Sequence, residues 1–355
     1  MLRRHRRLLF PLAALLLALP LLGLLLAPDS AARSAAELRA LAPWPGRLDP
    51  TALDAWARDH FGFRRLLIGA EARLVHGALA TGTGEVFIGR GGRPFLRVNR
   101  MIEQSAGLRL DHDAVAATAG MLAALRDALA ARGIPLIVAP PPNASTIATA
   151  ALPAWARNPG RATEYDALLA ALAARGVSAL DLRPVARAVP APYRRFDSHW
   201  TPRTALAAAN AVARAVGRPD WTLDEAEALT PPVPVGGGDL LRLLGLPDRR
   251  EAIPWLSLPG GGEQRLDALP YPSVAVSGAH PGPTLLVIGD SFTRALLPPL
   301  LLARLGRVVW VYHDLCRFDF GVVDRVRPAQ VWYMPTERRM LCDPGAYPAG
   351  LPGGG

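Results

Sequence analysis

Ser291 stands in Gly289-Asp290-Ser291-Phe292, directly after the apolar run Thr284-Leu285-Leu286-Val287-Ile288. A short run of this kind, entered through Pro283 and left through Gly289, predicts a buried strand of a parallel sheet. Residues 292–305 predict a helix that Pro298-Pro299 must interrupt or kink. Ser291 then falls at the turn between a strand's C-terminal end and a helix's N-terminus, where open α/β sheets place ligands. Backbone N–H groups at such a turn can hold a developing oxyanion, so a serine there has a chemical reason to be a nucleophile. Taken alone, Gly-Asp-Ser equally describes an ordinary N-capped turn.

A second stretch changes the balance. Phe196-Asp197-Ser198-His199-Trp200-Thr201-Pro202 carries a histidine and a carboxylate two residues apart. On an extended segment they share one face. A serine nucleophile needs a base, and the base needs a carboxylate to fix its tautomer and orientation. Thr201 and Pro202 read as N-cap and first residue of a helix to about Val216, stopped by Gly217. His199 is otherwise a surface histidine before a capped helix. Arg194, Arg195, Arg203 and Arg294 lie beside these motifs and are candidates to line a groove for an anionic glycan. The alternative for each is a solvated surface arginine.

The elements that must position these residues follow the chain. Arg3, Arg4, Arg6 and Arg7 precede twenty uncharged, mostly apolar residues, Leu8 to Ala27. That length spans a bilayer as a helix, and the basic flank places the N-terminus on the cytoplasmic side. Residues 1–30 are therefore read as basic cluster and uncleaved signal anchor, with a cleaved signal peptide as the rival. The localisation expected is the inner membrane, with the remainder exported into the periplasm. Residues 31–50 read as a linker and 51–345 as the main domain. Thr51 to Leu79 look helical, and 84–96 read as a β-hairpin turning at its glycines. His112 to Arg132 and Ala162 to Arg175 read as helices closed by Gly133 and Gly176. Pro135 to Ala139, Val177 to Leu182, Arg307 to Tyr312 and Gln330 to Met334 read as strands. The alternation argues for a parallel sheet covered on both faces. Residues 218–283 read as a loop-rich insertion, and 346–355 as a flexible tail.

The formal net charge is +10 and every basic residue is an arginine; the four before the apolar stretch leave +6 for the remainder. That excess suits an acidic partner such as an anionic polysaccharide. No zinc-ligand spacing, nucleic-acid motif or Gly-rich phosphate loop is present, so no metal, cofactor or nucleic acid is expected. Cys316 and Cys342 fit no metal motif; they are either a pair or two thiols.

Gly289-Asp290-Ser291-Phe292 resembles the nucleophile turn of SGNH hydrolases. Asp197-Ser198-His199-Trp200 ahead of it resembles the permuted order of the alginate O-acetyltransferase (AlgJ/AlgX-like) family. Asp59-His60-Phe61-Gly62-Phe63-Arg64, Gly89-Arg90-Gly91-Gly92 with Phe95-Leu96, Gly238-Asp239-Leu240 and Glu337-Arg338 also have counterparts there, over residues 50 to 345. Two positions depart: Arg93-Pro94 replaces the hairpin's usual Trp, and Asn143 stands where a lysine is expected. A C-terminal carbohydrate-binding module is not expected. The resemblance implies a three-layer α/β/α SGNH-like sandwich and acetyl transfer by Ser291, His199 and Asp197 to an exopolysaccharide. It also implies a membrane-bound O-acyltransferase as the supplier of acetyl groups. A carbohydrate acetyl esterase and a non-catalytic glycan-binding scaffold of an export complex are the rival readings.

Overall fold

The structure is a computed structural model that describes residues 82–353 apart from 247, 259–261, 266–272 and 279–280, and scattered residues between 10 and 79. The described residues divide into two compact units, 1–81 with 244–247, and 82–243 with 248–355. In the first, α1 (Pro50–His60) is helical, and the Trp44 and Trp56 rings meet edge-to-face at 4.7 Å. The apolar stretch Leu8 to Ala27, expected to span a membrane, lies largely outside the described residues, as does most of the 59–64 motif. Among the described residues no helix is long and apolar enough to cross a bilayer.

The second unit opens with a hairpin of β1 (Val86–Ile88) and β2 (Pro94–Leu96). It is followed by α2 (His112–Ala130), β3 (Leu136–Val138), α3 (Glu164–Ala174), α4 (Arg183–Ala188) and α5 (Pro202–Ala215). Each long helix starts where a polar side chain satisfies free N–H groups. Asp111 accepts from Ala114 at 2.9 Å before α2. Thr163 and Asp166 form a reciprocal capping box on α3. Thr201 caps α5, with Pro202 in its first turn. Next come β4 (Val233–Val235), α6 (Asp239–Leu243), β5 (Glu251–Ile253), β6 (Gly262–Arg265), β7 (Ser273–Ser277), β8 (Thr284–Gly289), α7 (Ser291–Arg294), α8 (Leu297–Leu302), β9 (Arg307–Tyr312) and β10 (Gln330–Met334).

Six strands form the main sheet in the order β3-β10-β8-β9-β7-β6. The four around β8 run parallel. Alternate residues of each strand feed opposite cores. Leu286, Ile288, Val309, Val331 and Tyr333 pack with Leu122 of α2 and Leu168 of α3. Leu285, Val287, Val308, Trp310 and Trp332 pack with Leu206 of α5 and Leu300 of α8. The two cores are the filled gaps of a three-layer α/β/α sandwich. Full burial of each β8 apolar side chain contributes about 1.5–3 kcal/mol.

The sheet is mixed rather than purely parallel. β7 pairs antiparallel with β9, and β6 with β7. Both added strands come from 218–283, the stretch read as loops. Ser273-Val274-Ala275-Val276 is buried on both faces and short, so it shows no alternation that would reveal it. The strand expected at Val177 to Leu182 is reduced to one bridge, Val138 with Ala179. Asp181 turns its carboxylate onto Arg183, and Pro184 opens α4, so the chain leaves the sheet at once. The helix expected over 292–305 breaks into α7 and α8, and Pro298-Pro299 sit in the first turn of the second piece, where their missing N–H groups cost nothing. The tail read as flexible from 346 is tied down: Phe320 N donates to Ala349 O at 2.8 Å, and Leu351 joins the core.

Candidate active site

β8 delivers the serine to the C-terminal edge of the sheet. Asp290 caps α7 by accepting from Phe292 N at 3.0 Å. The same carboxylate accepts from the Thr336 backbone N–H at 2.9 Å and from its hydroxyl. The residue preceding the serine is thus fully buried and clamps the end of β8 to the loop after β10. His313 N also donates to Gly289 O at 2.7 Å. Gly289 has a packing reason: a Cβ there would lie 2.2 Å from Thr293 Oγ1 and 3.2 Å from Met334 O.

The histidine arrives on a loop rather than on the extended segment expected. A bridge between Tyr193 and Trp200 closes it, and Arg194 N donates to His199 O at 3.1 Å. Within the loop Asp197 Oδ1 accepts from His199 N at 3.0 Å and contacts Nδ1 at 2.7 Å. The loop then meets the serine turn. Trp200 Nε1 donates to Phe292 O at 2.9 Å, the His199 and Phe292 rings lie 5.0 Å apart, and His199 Nε2 stands 3.0 Å from Ser291 Oγ. Ser291 itself is exposed. Serine, histidine and aspartate therefore form one hydrogen-bonded chain ending at a solvent-accessible hydroxyl.

The Asp197 carboxylate is held from its other side. Arg194 Nη1 donates to Oδ2 at 3.1 Å, and Asp239 N approaches the same oxygen at 3.4 Å. Burial acts to raise this carboxyl's pKa, but the His199 hydrogen bond and charge with the Arg194 charge outweigh it and hold it below the usual value. Asp239 accepts from Ser198 N at 2.7 Å and also from the Ser198 hydroxyl. Gly238 lets α6 come this close: a Cβ there would lie 1.9 Å from Phe196 O.

Asp197, His199 and Asp239 each offer a ligand atom within 4.8 Å of the others. These atoms already serve one another, Arg194 and Ser198, so the donor set is spent on orienting the histidine.

The four candidate arginines separate. Arg194 is interior, bonded to Asp197, to Glu251 at 3.2 Å and to the carbonyls of Gly236 and Gly237. Arg203 pairs with Glu225 at 3.0 Å on the surface of α5. Arg294 lies over the Trp310 ring at 5.9 Å. Arg195 is exposed and lies over Phe196 at 5.6 Å, with Arg249 over the same ring at 5.9 Å. Arg93, in place of the hairpin Trp, stacks over Phe95 at 5.5 Å. Its own burial, then the charge of Arg195, lowers its pKa, so the hairpin brings a second cation towards the Asp197 loop. Among the described residues no ion pair engages the guanidinium groups of Arg93, Arg195 or Arg249.

Sequence reasoning assigned no role to Asp239 or Arg338, although both lie in motifs that resemble the family's. Only the tertiary contacts reveal what they do. Asn143 is buried and belongs to a polar cluster instead: its side chain donates to Gln104 at 3.2 Å, and its backbone donates to Glu337 at 2.7 Å.

The fold has counterparts among solved structures. PatB1 of Bacillus cereus superposes with a TM-score of 0.50 at 12% identity, over 66% of this chain and 93% of that one. The O-acetyltransferase domain of Pseudomonas putida AlgJ matches with a TM-score of 0.45 at 19% identity, over 72% and 92%. Pseudomonas aeruginosa AlgX matches with a TM-score of 0.44 at 16% identity, over 72% and 63%. No curated protein sequence matches the chain. The family described as SGNH hydrolase-like domain, acetyltransferase AlgX, matches residues 101–316, which include all three members of the hydrogen-bonded chain. By that match over more than half its length, the chain belongs to the AlgX family of SGNH hydrolase-like acetyltransferase domains.

Proposed function

We propose that this protein is an exported, membrane-anchored O-acetyltransferase that moves acetyl groups onto hydroxyls of an exopolysaccharide. The observation that carries the reading is the unbroken chain from Asp197 through His199 to the exposed Ser291 hydroxyl. His199 Nε2 takes the Ser291 proton as Oγ attacks the acetyl carbonyl. Asp197, bonded to Nδ1, fixes the tautomer and stabilises the imidazolium that forms. The donor's oxygen leaves with the proton returned by His199, and Ser291 carries the acetyl group. A sugar hydroxyl then loses its proton to His199 and attacks the acetyl-serine. The sugar departs acetylated and the serine is restored.

Arg93, Arg195 and Arg249 support an anionic acceptor, since they bring to the loop that carries Asp197 positive charge that no ion pair among the described residues engages. The Cys316–Cys342 disulfide supports export, because such bonds persist in oxidising compartments. With the apolar segment at Leu8 to Ala27 as anchor, the catalytic unit faces the periplasm. A membrane-bound O-acyltransferase supplies the acetyl group.

The test incubates the purified full chain with a chromogenic acetyl ester, with and without anionic oligosaccharides, beside Ser291→Ala. Acetyl-enzyme and acetylated sugar are read by mass spectrometry. Acetylated sugar that vanishes in the variant establishes the transferase. Ester cleavage without transfer to any acceptor supports an esterase, and inactivity of both proteins supports a scaffold.

A further inference from the structure

Arg338 is a half-buried cation with an interior Nη1 that the steps above leave unused. It belongs to the short turn Glu337–Arg339 that follows β10. Two residues earlier, Thr336 holds the Asp290 carboxylate. The backbone therefore brings Arg338 to the same edge of the sheet as Ser291. Its guanidinium carbon lies 4.7 Å from the centre of the Phe292 ring, the ring that His199 approaches at 5.0 Å. It feels the charges of Asp290, beside the nucleophile, and of Asp239, beside the histidine. The cation thus shares the Phe292 ring, next to the nucleophile, with the histidine of the triad.

Its hydrogen bonding is incomplete. Nη1 is buried and has no partner, and neither Asp290 nor Asp239 forms an ion pair with it among the described residues. A buried guanidinium N–H without an acceptor carries the full cost of its lost hydration. Buried polar groups left open in this way are met by water or by a ligand. Burial lowers the pKa of the group, with the carboxylates of Asp290 and Asp239 opposing it. An arginine stays charged under such pressure. The aromatic face beneath it fixes the plane of the fork.

Resting on the acyl-transfer reading of Ser291, we propose that Arg338 is the charged donor that meets the carbonyl oxygen of the acetyl group. As Ser291 Oγ bonds to the carbonyl carbon, the π pair of the C=O bond moves onto that oxygen. The Nη1–H of Arg338 donates to the resulting oxyanion, while the serine proton rests on His199 Nε2. When the pair returns, the C=O bond reforms, the bond to the donor's oxygen breaks, and that oxygen leaves with the proton from His199. The charge on Arg338 is unchanged throughout, so no further reactant is needed. Held in place before the reaction, a donor of this kind contributes most where charge develops.

The experiment measures the pre-steady-state burst of p-nitrophenol from p-nitrophenyl acetate, a neutral ester, with the full chain. Unaltered protein is compared with Arg338→Gln, Arg338→Lys and Arg338→Ala, each with its melting temperature. The expected result is an acylation rate about 10²–10³-fold lower in Arg338→Gln. Arg338→Lys should fall between the two, and the loss should lie in the acylation rate rather than in KM. Added guanidinium ion should restore part of the rate to Arg338→Ala, which a purely structural arginine would not allow. An unchanged burst in Arg338→Gln overturns the proposal. An unchanged burst with impaired transfer to an anionic sugar also overturns it, by moving Arg338 to the acceptor. If Arg338→Gln does not fold, the guanidinium response of Arg338→Ala decides, and its absence counts against the assignment. Failure of the unaltered protein to form any acetyl-enzyme removes the serine reading itself, and this inference with it.

Discussion

Arg194 and Asp197 form an interior ion pair at 3.1 Å, and both side chains are only 11% exposed. The arginine also reaches Glu251 and two glycine carbonyls. It therefore fixes the carboxylate that fixes the histidine, without touching the serine. Arg194→Ala should lower kcat by about 10²-fold, the cost of misplacing a catalytic group by roughly an ångström. KM for a neutral acetyl ester should barely move. Steady-state kinetics of the variant check this, and a fall in binding with kcat intact would make Arg194 a substrate contact instead.

Gly238 admits no side chain, because a Cβ would lie 1.9 Å from the carbonyl oxygen of Phe196, next to Asp197. Relief requires a backbone shift of the loop or of α6. Gly238→Ala should destabilise the protein by about 1–3 kcal/mol and slow acetyl-enzyme formation as well. Thermal unfolding and burst kinetics on one preparation test both halves of that expectation.

Glu337 is fully buried with Oε1 unpartnered. Burial pushes its pKa up from 4.5 to about 7, although Asn143 N and the Thr146 hydroxyl donate to Oε2. A carboxyl raised in the folded state binds its proton more tightly there than in the unfolded chain. Its contribution to stability is then complete below about pH 4.5 and is lost as pH rises through about 7. Melting temperature should therefore fall over that window relative to Glu337→Gln, whose amide does not titrate. Parallel melting curves of the two proteins would reject the assignment.

Cys316 and Cys342 close a loop over a sequence separation of 26. Limiting the unfolded chain in this way stabilises by about 3.5 kcal/mol on the loop-entropy estimate. The double variant Cys316→Ser/Cys342→Ser should melt lower, and a reductant should lower the melting temperature of the unaltered protein but not that of the variant. Cys316 lies three residues after His313, whose backbone holds the end of β8. Acylation should therefore weaken with the loss of the bond.

The chemistry was legible where it depends on local order. An apolar run ending in Gly289-Asp290-Ser291 dictates a strand that stops at a capped turn, because Asp290 can satisfy the first free N–H only there. Thr201-Pro202 specifies a helix start for the same reason. The helix stops at Gly133, Gly176 and Gly217 follow from positive φ values that glycine tolerates. Tertiary structure decided whatever depends on distance along the chain. His199 and Ser291 are 92 residues apart, and no local preference states that one nitrogen will reach the other's oxygen. β6 and β7 join the sheet because β9 leaves an edge to be paired, not because their own sequence alternates. The sequence marks Arg338 as part of a motif with a family counterpart but states no role for it. Its contact with Phe292 and the burial of Nη1 without a partner set it apart, and burial is a property of the packed molecule rather than of the residue.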